Sequence, residues 1–186
     1  ASAGKFAAEI GIGVRWMRET TSGNLYISKE AVSGASITTF EPNDPEWGWA
    51  YTARRNNNYT GTAWLTAQGV QLAGDHFLWV QGEADSSQNQ AWYQTRLQAM
   101  LDQRVIDGLE SPAGIQVVAQ IKPGTIGYGS GVAAAKAAIA AANPSRVKII
   151  NMDHYGPDNI HCNARGHIQL GYDSFEKIFN VPHIST

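Results

Sequence analysis

The stretch Phe77-Leu78-Trp79-Val80-Gln81-Gly82-Glu83-Ala84-Asp85 passes from apolar to polar within one short segment, and its place in an alternation of strands and helices decides the fold. Phe77 to Gln81 reads as a buried strand ending in polar side chains, because a short apolar run bounded by turn residues marks a strand covered on both faces. From Trp92 to Ile106, Leu97, Leu101 and Val105 fall on one helical face, and Ile115 to Ile121 is a second apolar strand. Further on, Gly131 to Ala142 predicts a helix, Val147 to Met152 a strand, and Asn163 to Phe179 a closing helix with Ile168 and Leu170 facing inward.

Towards the amino end, Phe6, Ile10 and Val14 recur at helical spacing and predict a helix over Lys5 to Arg18. Leu25 to Val32 alternates like a short strand leading into Ser33-Gly34-Ala35. Thr38 to Asn58 reads as a long polar loop carrying Pro42, Pro45, Trp47, Trp49, Tyr51 and three consecutive Asn, and Tyr59 to Ala73 as a helix. Strands alternating with helices imply a parallel sheet covered on both faces, a three-layer α/β/α sandwich. Such sheets bind ligands beyond the carboxyl ends of their strands. Ser33-Gly34, Gln81-Gly82-Glu83 and the loop from Asp153 to His161 therefore converge on one edge.

With 186 residues, 43% of them hydrophobic, and six Trp, the chain has apolar material for one packed core, and a single domain over 1–186 is expected. The net charge is −2 and the Lys and Arg are scattered, which disfavours nucleic acid as a partner. No run approaches the ~20 apolar residues that span a bilayer, so no membrane partner is expected either. The single cysteine, Cys162, excludes an internal disulfide and reads as a buried structural thiol, although His161 is its neighbour. The opening Ala1-Ser2-Ala3-Gly4 reads as a cut or processed end.

Several residues carry possible chemistry. His161, with Asp158 three residues before it, has the make-up of a general base with its orienting acid; the alternative is that Asp158 caps the last helix and His161 is a first-turn residue. Gln81 offers an amide donor to a developing oxyanion, with Gly82 allowing close substrate approach, or the segment is a plain strand-to-helix turn. Ser33-Gly34 offers a backbone N–H to the same oxyanion, or is a turn. Asp153, His154, Asp158 and His161 include metal-ligand types. Trp47, Trp49, Tyr51 and Tyr59 are aromatics that stack on sugar rings or fold back as local core.

In this order and at these spacings the segments become specific. Phe6-Ala7-Ala8-Glu9-Ile10-Gly11 is similar to a Gly-Pro-Glu helix start, Lys29 through Ser36 to a Lys-x-x-x-Gly-Gly-Thr-Ser segment, Trp79-Val80-Gln81-Gly82-Glu83 to a Trp-x-Gln-Gly-Glu block, and Asp158-Asn159-Ile160-His161 with Gly166 and Gly171 to an Asp-x-x-His block. The chain resembles the carbohydrate acetylesterase branch of the SGNH hydrolases, the group that includes sialate O-acetylesterase and the xylan acetylesterases. That resemblance implies an SGNH or flavodoxin-like α/β/α sandwich and hydrolysis of acetyl esters on carbohydrate, with no cofactor and no metal. It implies Gly34 and Gln81 as oxyanion-hole donors, His161 as general base and Asp158 as its orienting acid, with Glu83 as the other candidate acid. Trp47 and Trp49 are the candidate substrate-binding aromatics.

The departures are specific too. Ala7-Ala8 stands in place of Gly-Pro, and Ser33 in place of the first Gly of the pair. The family's nucleophile lies in a Gly-x-Ser segment after its first strand, ahead of the Gly-Pro-Glu helix, whereas only Ala1 to Lys5 precede Phe6. The expectation is the larger part of a processed esterase, with the first strand and its serine on an N-terminal fragment bound as a second chain. The alternative is a non-catalytic glycan-binding or structural domain of a surface or tail assembly. A location outside the cytosol is expected from the glycan substrate.

Overall fold

Three strands, β1 (Phe77–Trp79), β2 (Gln116–Ile121) and β3 (Val147–Met152), pair in that order in a parallel sheet, with Phe77 opposite Gln116 and Gln116 opposite Val147. The computed structural model describes residues 7–20, 22–42, 44, 46, 48–72, 74–152 and 162–182. Side chains of a strand alternate between the two faces. Val117 and Ala119 accordingly join Ile150, Met152, Leu170 and Cys162 in one core, while Val118 and Val147 join Trp79, Tyr93, Leu97 and Ile139 in the other. Helices α1 (Ala8–Glu19) and α5 (Ala164–Phe179) cover the first face, and α3 (Gln90–Ile106) and α4 (Ser130–Ala142) the second. The protein is an α/β/α sandwich, as the alternation of elements predicts.

At the crossing point of α1 and α5 the two backbones touch. A Cβ on Gly11 would lie 2.2 Å from the Ile168 carbonyl oxygen, and one on Gly171 would lie 2.1 Å from that of Ala8. The buried positions of α1 are therefore Ala8, Gly11 and Arg15, not the predicted stripe through Ile10 and Val14, and Ile10 is 41% exposed. Phe6 lies outside the described residues. Small residues at a helix crossing let main chains touch, and that close approach outweighs the apolar periodicity. Arg15 is fully buried in this layer, where it donates to the Pro182 carbonyl at 3.1 Å and packs over the Tyr172 and Phe175 rings.

Two other sequence expectations change. Leu25 to Val32 forms no strand; Lys29 pairs with Glu9 at 2.9 Å and Arg54 donates to the Ser28 hydroxyl, so side chains of α1 and of helix α2 (Trp49–Ala67) hold the segment. A strand needs a neighbour to satisfy its backbone, and among the described residues no strand lies beside it. The expected loop from Thr38 to Asn58 contains a short 3-10 helix, Ile37–Phe40, and then the first half of α2. Asn56 and Asn57 lie on the solvent side of α2, while Tyr51 is buried with its hydroxyl on Asp107 at 3.0 Å. A polar run that reads as loop is here the wet face of a helix.

Candidate active site

Beyond the carboxyl end of β1 the chain turns sharply at Gly82. Its φ of +146° is a conformation that L side chains rarely adopt, and a Cβ there would press on Val132 and Ile121 at 3.1 and 3.3 Å. The turn leaves Gln81 buried at one end of the strand and Asp85 buried across from it. Gln81 Nε2 donates to Asp85 at 2.6 Å and to the Ala35 carbonyl at 3.0 Å, while Gln81 Oε1 accepts from the Tyr93 hydroxyl at 2.7 Å. These partners fix which way the amide points, since two acceptors face its nitrogen and a donor faces its oxygen.

Asp85 is the anchor of the corner. Its carboxylate accepts from the Ser36 hydroxyl at 2.6 Å, from the Ile37 N–H at 2.7 Å and from Gln81, so three donors offset the loss of its hydration. Behind it, Trp79 Nε1 donates to the Tyr93 hydroxyl at 3.3 Å. Burial pushes the Tyr93 phenol up, keeping it protonated as the donor to Gln81. Trp79, Tyr93, Gln81 and Asp85 thus form one buried relay that ends on the loop after Gly34.

Gly34 itself is exposed, with φ +65° and nothing within 4 Å of where a Cβ would stand. The positive φ falls on Gly34, not on Ser33, so the serine in place of the family's first glycine carries no backbone strain. The structure brings the Gly34 turn and Gln81 together through the Ala35 carbonyl, although no strand leads into that turn among the described residues.

Glu83 is half-buried in the loop after Gly82, against Gly127, and among the described residues its carboxylate makes no hydrogen bond or ion pair. Cys162 lies within reach of its field: burial first, and then the Glu83 carboxylate, push the thiol up to about 11. Glu83 is therefore electrostatically coupled to the residue that directly follows His161. Cys162 is buried against Ala119 and Met152, as a structural thiol should be. Asp158, His161 and Trp47, together with Asp153 and His154, lie outside the described residues. The cap of α5 is Asn163, whose side chain accepts from the Gly166 N–H at 2.8 Å, so Asp158 is not needed as its cap.

The sequence from residue 3 to residue 180 matches the model of the carbohydrate esterase family described as sialic acid-specific acetylesterase. The chain belongs to that family. No curated protein matches it. Within this acetylesterase family frame, two matched segments meet physically: Glu9 of the helix start and Lys29 of the segment leading to Gly34 form the 2.9 Å ion pair that ties Leu25 to Val32 to α1.

Sequence reasoning missed Lys136 as part of this corner. It is fully buried and donates to the Gln81 and Ala119 carbonyls, a place that the sequence reading did not give it. Its signal was the apolar stripe Val132, Lys136, Ile139, in which a lysine occupies a core-facing position. Of the candidate aromatics, Trp49 is 55% exposed at the start of α2, whereas Tyr51 is core. The groove between α4 and α5 lined by Pro144, Lys148, Glu176 and Val181 opens beside the amino end of β3, away from the strand ends that carry this corner.

Proposed function

We propose that the protein is a carbohydrate O-acetylesterase whose nucleophilic serine lies outside these 186 residues, on a strand and Gly-x-Ser segment N-terminal to them in the family's order. The observation that carries this reading is the Gln81 to Ala35 hydrogen bond, which holds two of the family's matched segments as one corner at the end of β1. Among the described residues β1 pairs only with β2, which leaves its other edge for the strand that bears the serine.

In this reading the serine oxygen attacks the acetyl carbonyl while His161 accepts its proton, and Asp158 or Glu83 orients the imidazole. The oxyanion of the tetrahedral intermediate is held by the exposed Gly34 N–H. Gln81 joins it by exchanging its Ala35 bond for the substrate oxygen, since both of its amide hydrogens are otherwise engaged. Collapse expels the sugar alkoxide, which takes the proton from His161. Water, deprotonated by His161, then cleaves the acetyl-enzyme to acetate and restores the serine. No metal or cofactor enters the reaction, and Trp47 and Trp49 stack on the sugar.

Intact mass and N-terminal sequencing of every polypeptide in the purified material test this reading, followed by p-nitrophenyl acetate hydrolysis. A Gly-x-Ser segment, ahead of Ala1 on the same polypeptide or on a co-purifying chain, and measurable hydrolysis are expected. The 186-residue chain alone, inert towards the ester, favours instead a glycan-binding or structural domain, for which the exposed Trp49 ring is the supporting feature.

A further inference from the structure

Beneath the carboxyl ends of β1 and β2 lies a buried ammonium. Lys136 Nζ reaches up from α4 to the backbone oxygens of Gln81 at 2.5 Å and Ala119 at 2.7 Å. The charged and titratable groups that face it are Glu83 and Asp85 after β1 and Tyr93 of α3, whose ring centre is 5.9 Å away; Cys162, ahead of α5, shares the field of Glu83. Among the described residues no carboxylate bonds to the ammonium, so its partners are main-chain carbonyls. A cation held this way fixes how those carbonyls point.

The consequence falls on Gly82. The peptide joining Gln81 to Gly82 is trans, so the Gly82 N–H points opposite to the Gln81 oxygen, away from the ammonium. The Gly82 α-carbon is packed towards α4, where a Cβ would lie 3.2 Å from Lys136 Nζ, and its N–H has no acceptor among the described residues. A positive charge on the carbonyl oxygen draws electron density through the amide and makes that N–H a stronger donor.

We propose that the Gly82 N–H is a further oxyanion donor and that Lys136 is the positioning residue that aims and polarises it through the Gln81 carbonyl. The oxyanion role rests on the esterase reading; the coupling of Lys136 to the Gly82 peptide does not. Burial, working against Glu83 and Asp85, pulls the Lys136 ammonium down to about 8.

The test tracks the Gly82 amide resonance of isotopically labelled protein from about pH 6.5 to 9.5, a range that brackets this ionisation and lies below an ordinary lysine pKa. A titration with its midpoint near 8 is expected in the wild type, and its loss in Lys136→Met. A Gly82 amide that does not move in the wild type overturns the coupling, and that measurement needs no variant to fold. With p-nitrophenyl acetate and the assembled enzyme, Lys136→Met should lower kcat roughly tenfold or more with KM unchanged, and Lys136→Arg should restore most of it. The wild-type kcat should also fall as pH rises through about 8. An unchanged kcat in Lys136→Met, in an enzyme whose Gly82 amide does titrate, overturns the oxyanion role. A wild type that hydrolyses no ester overturns the esterase reading and that role with it, while the amide titration still decides the coupling.

Discussion

Gln81 Nε2 stands 3.0 Å from the carbonyl oxygen of Ala35, so the turn at Gly34 is fastened to the end of β1 by one side chain. The same amide nitrogen binds Asp85, and Asp85 binds Ser36 and Ile37, so both sides of the corner rest on a single carboxylate. In the proposed mechanism the Gly34 N–H must stay preorganised while Gln81 exchanges its Ala35 bond, and Asp85 holds the loop through Ser36 and Ile37.

Asp85→Ala should therefore destabilise the protein by about 3–5 kcal/mol, because it strands buried donors that cannot reach water. Asp85→Asn keeps one acceptor oxygen for Gln81 and Ile37 and lets the Ser36 hydroxyl turn, so its cost should be less than half as large. Urea denaturation of both variants checks the ratio, and equal losses would contradict the network.

The crossing of α1 and α5 predicts opposite outcomes for glycines in one helix. Gly11→Ala forces a methyl into the Ile168 carbonyl and should cost about 2 kcal/mol or more, as overpacking does. Gly13→Ala meets nothing within 4 Å. It should be neutral or stabilise by up to about 1 kcal/mol through helix propensity. Thermal melts of the two variants, side by side, decide.

Cys162 should resist alkylation. Burial and the Glu83 carboxylate raise its pKa to about 11, so at pH 8 the folded thiol keeps its proton and the nucleophilic thiolate is scarce. Iodoacetamide at pH 8 should label the denatured chain at least tenfold faster than the native one, since a free thiol ionises near ~8.5. The raised pKa also signs the linkage: this group's share of stability is complete below about pH 8 and is lost as pH rises towards 11. Glu83→Gln should lower the pKa of Cys162 and speed its labelling, which reports how near Glu83 lies to the His161 segment.

Trp49→Ala removes a ring that is 55% exposed, so the melting temperature should hardly move. If the ring stacks on sugar, KM for an acetylated glycan should rise several-fold while KM for p-nitrophenyl acetate stays the same. Steady-state kinetics with both esters separates the two effects.

Much of the sandwich was legible because its strands and α3 to α5 have strong periodicity. Val147–Met152 has the bounds its apolar run suggests, and α3 starts at Gln90 rather than Trp92 because Asn89 caps it. The α1 face was misread because Gly11 buries backbone, which apolar periodicity does not register. The segment from Leu25 to Val32 alternates like a strand, but pairing is a property of neighbours that a single segment does not encode. In the site, Gln81 was legible as a strand-end residue, whereas the strand expected before Gly34 is absent among the described residues. Lys136 and Asp85 were not legible, because their importance lies in what their buried charges touch.

The most direct test of the central claim is to label the native material with a fluorophosphonate that reacts only with activated serines, and to weigh each polypeptide. The phosphonyl group is expected on a serine of a Gly-x-Ser segment outside residues 1–186, with loss of p-nitrophenyl acetate hydrolysis in proportion to labelling. Label on a serine within the 186 residues, or full hydrolysis with no label anywhere, would contradict it.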